Sequence, residues 1–190
     1  MRKTVGILAL QGAYQKHVDT LSALRITPVL VRRPEELKNC AALILPGGES
    51  TTISLLIQQY DLYEAIKIFA ASHPVMGVCA GMIMMATEVD DKRVEPLGLI
   101  PFKALRNHYG RQVHSFTTAI KLADSDFNGN AFPATFIRAP GITDMAPQVK
   151  ILACYKNEAV MIQADRHLAL SFHPELSGDT RIHEYWLRNL

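Results

Sequence analysis

Two short stretches carry the residue types of nucleophilic catalysis. Gly77-Val78-Cys79-Ala80-Gly81 sets a cysteine between two glycines, after the apolar Pro74-Val75-Met76 and before the helix-prone Met82-Ile83-Met84-Met85-Ala86. This is the thiol counterpart of a G-x-S-x-G nucleophile elbow, where a strand-to-helix bend pushes the reactive side chain out of a sheet. Small neighbours leave room for a substrate. Unpaired amides at a helix start favour thiolate over thiol, and the Ala80 amide is placed to help hold an oxyanion. Far downstream, His173-Pro174-Glu175 follows the apolar Leu168-Ala169-Leu170-Ser171-Phe172. In an extended chain, residues two apart face the same side, and Pro174 restricts both itself and His173. A nucleophile needs a base, and the base needs an orienting partner. Cys79, His173 and Glu175 supply all three. A lone cysteine in an apolar run is ordinarily a small buried hydrophobe, and a lone His-Pro-Glu is ordinarily a surface turn. Their joint occurrence at strand ends points to a triad.

A third stretch, Pro46-Gly47-Gly48-Glu49-Ser50-Thr51-Thr52, closes the apolar run Ala41-Ala42-Leu43-Ile44-Leu45. It can be read as a tight turn. It can also be read as backbone amides offered to a ligand at the carboxyl end of a parallel strand, where open α/β sheets place their sites. The second reading is favoured because the loop is expected beside the Cys79 elbow. The Gly-Lys-Ser/Thr ending of a phosphate loop is absent. Ser50 or Thr51 is the expected N-cap of the following helix.

The elements that must position these groups follow from apolar periodicity. Val5–Leu10 reads as a strand buried on both faces, and Tyr14, Val18, Leu21 and Leu24 recur at helical spacing. Pro28–Val31 and Ala41–Leu45 are further strands, with a short helix opened by Pro34 between them. A helix through Leu55, Leu56 and Gln59 and another over Leu62–Ala71 precede the strand Pro74–Val78. Such β-α alternation gives a parallel sheet covered on both sides. After Ala86 the character changes. Asp90-Asp91-Lys92-Arg93 reads as a solvated loop without function. Val113, Ser115-Phe116, Thr117 and Ile120 suggest antiparallel pairing, with Asn128-Gly129-Asn130 as a turn, and Thr135 to Gly141 is another strand ending in a turn. Val149–Tyr155 and Ala159–Gln163 fit a hairpin. Leu168–Phe172 is a last strand, and Thr180–Leu190 a closing helix. The expected fold is α/β: a single three-layer domain over residues 1–190, with a mostly parallel central sheet flanked by helices and antiparallel strands in the second half.

Composition limits the function classes. The 190 residues are 48% hydrophobic and 20% charged, with a net charge of +2, as in ordinary globular domains. No basic run supplies a nucleic-acid footprint. No stretch reaches the length of a membrane span. The start, Met1 to Leu10, has too short an apolar part and no cleavage region for a signal peptide. Cys40, Cys79 and Cys154 have neither the count nor the spacing of a disulfide frame or zinc site, so no metal is expected and the cytoplasm is the natural compartment. Cys40 and Cys154 read as packing residues. His17, His73, His108, His114, His167 and His183 read as surface or local structural groups.

Taken in order, these motifs resemble the class I (triad) glutamine amidotransferases. More narrowly, the chain is similar to the glutaminase-subunit branch of pyridoxal 5′-phosphate synthases. The resemblance runs end to end: Leu10-Gln11-Gly12, Leu45 to Thr52, Gly77 to Gly81, Arg106-Asn107 with Gly110-Arg111-Gln112, Phe136-Ile137-Arg138-Ala139-Pro140, and Ser171 to Leu176. Many other triad amidotransferases carry Leu after the nucleophile and Gln a few positions on. Ala80 and Met82-Ile83 stand here instead. His108-Tyr109 replaces an expected Ser-Phe-like pair.

The resemblance implies that Cys79 attacks the side-chain amide of L-glutamine, with His173 as base and Glu175 orienting it. It implies amides near Gly48 and Ala80 for the oxyanion, and Gly47, Gly48, Glu49, Arg106, Ile137 and Arg138 as glutamine-binding residues. No cofactor is implied. The implied partner is a (β/α)8-barrel pyridoxal 5′-phosphate synthase subunit that receives the ammonia. Two alternatives stay open: the glutaminase of another amidotransferase, such as the histidine-pathway one, and a non-catalytic docking subunit.

Overall fold

The computed structural model describes residues 3–109, 115–123, 127, 131–188 and 190. Gly110-Arg111-Gln112, Val113, His114 and the expected turn at Asn128-Gly129-Asn130 lie outside the described residues. In chain order the elements are β1 Thr4–Leu8, α1 Tyr14–Ala23, β2 Thr27–Val31, a 3-10 helix Pro34–Asn39, β3 Ala42–Leu45, α2 Ser50–Gln59, α3 Leu62–Ala70, β4 Val75–Val78 and α4 Ala80–Met85. There follow β5 Glu88–Val89, β6 Lys103–Leu105, β7 Phe116–Leu122, β8 Ala131–Phe136, β9 Gly141–Thr143, β10 Lys150–Tyr155, β11 Glu158–Ala164, β12 His167–Leu170, a 3-10 turn Pro174–Leu176 and α5 Arg181–Leu187.

Nine strands form one sheet in the order β2-β1-β3-β4-β12-β11-β10-β7-β8. The half from β2 to β12 is parallel; from β12 to β8 every pairing is antiparallel. The antiparallel half is as extensive as the parallel one. A small sheet, β5-β6-β9, packs beside it. Both edge strands of the large sheet carry a proline, Pro28 in β2 and Pro133 in β8. Proline removes a ladder donor, so it is tolerated at an edge and discourages further pairing there.

The helices cover both faces because strand residues alternate sides. Val5, Ile7, Ile44, Met76, Val78, Leu168 and Leu170 pack with Leu21 of α1 and Ile182 and Trp186 of α5. Leu43, Leu45, Val75 and Ala169 face the other way, against Ile53 and Ile57 of α2, Ile66 and Phe69 of α3, and Met82 and Met85 of α4. A mixed α/β architecture with a large helix-flanked sheet results.

Local differences from expectation have physical causes. The helix N-cap after Gly48 is Glu49, not Ser50 or Thr51; its carboxylate accepts from the Thr51 and Thr52 amides, two donors that a single hydroxyl would not satisfy together. A bulge in β10 turns both Leu152 and Ala153 inward. Cys154 is therefore exposed instead of packed. His17 and His183 are fully buried and not surface groups, because α1 and α5 turn those positions toward the sheet.

Candidate active site

β4 and β12 are neighbours at the middle of the sheet, with Met76, Gly77 and Val78 opposite Leu168, Ala169 and Leu170. Cys79 and His173 thus emerge from adjacent strand ends, at the carboxyl edge where α/β sheets open. Cys79 has φ +51° and ψ −106°, outside the comfortable range of an L-residue. Such strain persists only where the surroundings over-determine it. Here the Cys79 amide donates to Leu170 O at 2.8 Å, and its carbonyl accepts from Ile83 N of α4. Gly81 makes the bend possible: a Cβ there would lie 1.9 Å from Leu45 O.

The three predicted catalytic side chains converge. His173 and Glu175 are bonded at 2.7 Å, Nδ1 to Oε1. The route differs from the one the sequence suggests. His173 is extended, but Pro174–Leu176 forms a 3-10 turn, so Glu175 reaches the ring from its first turn. With Nδ1 engaged, Nε2 is the nitrogen left to serve the Cys79 sulfur, which lines the same cavity. Burial works against an imidazolium at His173. The interactions with Cys79 and Glu175 outweigh it and raise the pKa to about 10. Glu175 is buried too, which favours its neutral form, yet the bond from His173 holds its pKa below the usual carboxylate value. The arrangement therefore favours a proton on the ring and a charge on the carboxylate. Cys79 Sγ also donates to Ile137 O at 3.8 Å.

Cys79 and His173 line a cavity of about 270 Å³ with Gln11, Gly47, Gly48, Glu49, Ala80, Arg106, Ile137 and Arg138. Every residue predicted for catalysis, oxyanion binding or substrate binding is on its wall except Glu175, which reaches the site through its bond to His173. The volume is near the lower end for small-molecule sites. Gly47 is pressed against His173: a Cβ there would sit 2.4 Å from its Cε1.

The opposite rim is charged. Glu49 caps α2, accepting from Thr51 N at 3.2 Å and Thr52 N at 2.7 Å. Partial burial opposes its ionisation, but the bonds from Thr51 and Thr52 hold its pKa down at about 2. Arg106 Nη2 donates to Glu49 Oε1 at 2.9 Å, and its Nη1 meets Asp91 Oδ2. Asp91 is held well below the usual carboxylate range by side-chain and backbone bonds from Arg93, with Arg106 adding to the effect. Asp91 thus belongs to the site's ion network, contrary to the reading of its loop as merely solvated. Arg138 is exposed at the rim with φ +44°.

Sequence reasoning also passed over two other residues. Gln11 Oε1 accepts from Glu49 N at 2.9 Å and lies over Gly48, pinning the glycine loop; its place just after a buried strand was the available signal. His17 lies 3.7 Å from Glu175 Oε1, and nothing in its local spacing announces that.

The arrangement brings a thiol, an imidazole and a carboxylate together beside a rim of paired charges. The chain matches the model of the SNO glutamine amidotransferase family over residues 7–190. It is 45% identical to a pyridoxal 5′-phosphate synthase subunit PdxT of Methanoregula boonei, covering 98% of each chain. It is 44% identical to the subunit of that name from Desulforudis audaxviator, covering 96% of each. A crystal structure of a glutamine amidotransferase matches with TM-score 0.89 at 37% identity, over 96% of both chains. The structure of PurLQS from Thermotoga maritima matches with TM-score 0.70 at 14% identity, over 92% of this chain and 89% of that one, and shares the fold.

Proposed function

Since the chain belongs to the SNO glutamine amidotransferase family, we propose that it hydrolyses L-glutamine through Cys79, His173 and Glu175 and hands the ammonia to a pyridoxal 5′-phosphate synthase partner. The observation that carries this reading is the meeting of Cys79 and His173 in one cavity, with Glu175 bonded to the far side of the His173 ring at 2.7 Å.

His173 Nε2 takes the thiol proton, and the Cys79 thiolate attacks the side-chain amide carbon. The carbonyl π electrons move to oxygen, and the Gly48 and Ala80 amides stabilise the resulting oxyanion. Collapse breaks the C–N bond as His173 returns the proton, so ammonia leaves and a γ-glutamyl thioester remains. Water, deprotonated by His173, then attacks the thioester. Glutamate departs and the proton returns to sulfur. Glu175 holds the ring in the tautomer and orientation each transfer needs.

Gly47, Gly48, Glu49, Arg106, Ile137 and Arg138 bind the substrate. A guanidinium suits the α-carboxylate and an acid the α-ammonium. The relatives' name, pyridoxal 5′-phosphate synthase subunit, supports a synthase partner, which we take to be a (β/α)8-barrel subunit. Ammonia must reach it without escaping to water, so docking is part of the reading. Residues 1–190 act as one glutaminase domain. Among the described residues no helix is long and apolar enough to cross a membrane, which fits a cytoplasmic setting.

The test is glutamate release from glutamine by the chain mixed with a pyridoxal 5′-phosphate synthase subunit. Cys79→Ala is expected to abolish it. Turnover at the wild-type rate would remove Cys79 from the mechanism.

A further inference from the structure

The largest set of buried polar atoms left without hydrogen bonds among the described residues lies behind the triad. Both ring nitrogens of His17, both of His183, and Glu175 Oε2 are buried and unpaired. Buried polar groups are normally satisfied, so such a cluster calls for an explanation. His17 comes from α1 and His183 from α5. Their rings are 5.8 Å apart between centroids. His17 Nε2 lies 3.7 Å from Glu175 Oε1, with both side chains wholly out of solvent. Within 4.0 Å of the Glu175 carboxylate, the described nitrogen-bearing side chains of possible positive charge are His173 and His17.

We propose that His17 is a positioning residue for the triad, backing the Glu175 carboxylate from α1 so that Glu175 keeps its hold on the His173 ring. This rests on the reading of Cys79, His173 and Glu175 as the catalytic groups. At 3.7 Å the contact is too long for a hydrogen bond. An N–H dipole directed at a carboxylate in a dry interior is nevertheless poorly screened. It favours one carboxylate orientation over the others without neutralising its charge. A cation at this place would compete with His173 for Glu175.

The groups facing His17 agree with a neutral donor. Burial lowers its pKa, against the pull of Glu175 and with the help of His173. Burial, with His17 adding to it, lowers His183 to about 3. A neutral His17 aiming a donor at Glu175 requires its proton on Nε2. That tautomer leaves Nδ1 as an acceptor, so the proposal assigns one protonation state out of three.

The wild-type protein gives the first test. Nitrogen-15 NMR of the histidine rings should show His17 neutral, with the proton on Nε2, from pH 5.5 to 8. An Nδ1–H tautomer or an imidazolium in that range would overturn the proposal. The second test compares His17→Leu, which fills the space without a donor, with His17→Gln, which places an N–H near Nε2. His17→Leu should lower kcat for glutamine about tenfold with KM within about twofold, and should shift the pH midpoint of Cys79 alkylation by iodoacetamide upward. His17→Gln should recover kcat to within about threefold of wild type. Equal losses in both variants, or an unmoved alkylation midpoint, would make His17 a packing residue and sink the idea. Should His17→Leu fail to fold, His17→Gln and the ring tautomer decide. Loss of the triad reading itself would appear separately, as an active Cys79→Ala.

Discussion

The two walls of the cavity differ in how they hold charge. On one side Cys79 and His173 are nearly inaccessible, and the Glu175 side chain that backs His173 is fully buried. On the other, Arg106 is 19% and Glu49 39% exposed. Charges on the dry wall act at low effective dielectric, so small displacements cost much. Charges on the rim are screened by solvent and salt and contribute modestly apiece. The buried wall suits proton transfer at fixed geometry, and the rim suits recognition of a substrate that must also leave.

Breaking the buried wall should have the larger effect. Glu175→Gln keeps the shape but removes the charge that orients His173. It is expected to lower kcat about a thousandfold with little change in KM, measured by glutamate release. The same variant should alter stability against pH. His173 is raised from 6.5 to about 10, so its contribution is complete below 6.5 and fades as pH climbs through about 10. Glu175 is lowered from 4.5, so its contribution is complete above 4.5 and fades in more acid solution. The melting-temperature gap between wild type and Glu175→Gln should therefore be widest between these limits and narrow toward pH 10. A gap that stays constant with pH would mean the pair is not coupled as its geometry implies.

Gly47→Ala attacks the same wall sterically. Its Cβ would fall 2.4 Å from His173 Cε1, so the ring must move or turn. A displacement of about an ångström at the His173 ring is expected to cost on the order of a hundredfold in kcat. Unchanged kcat would show that the ring tolerates the shift.

The rim should respond less. Arg106→Ala removes the partner shared by Glu49 and Asp91. KM for glutamine is expected to rise about tenfold while kcat changes by less than about threefold, and the effect should shrink as salt is added. A kcat loss matching that of Glu175→Gln would erase the distinction between the walls.

Much of this is legible in the sequence. Apolar runs located the strands β1, β3, β4 and β12, because burial on both faces leaves a continuous hydrophobic signature. The glycines around Cys79 and the proline after His173 marked the bends. Less visible was Glu49's role as a helix cap, since the same residue could serve a ligand or the backbone. The bulge that exposes Cys154 leaves no clear local trace, and β10 reads as an ordinary strand without it.

Residue chemistry and short-range periodicity were set by the sequence alone: which side chains could react, and which segments would become strands or helices. These depend on neighbours a few positions away, where covalent geometry dictates the outcome. Tertiary structure decided that β4 lies beside β12, which brings Cys79 to His173. It decided that α1 buries His17 behind Glu175, and that the loop of Asp91 folds onto Arg106. Those contacts join segments far apart in the chain, and only sheet order and the closing of the core select them.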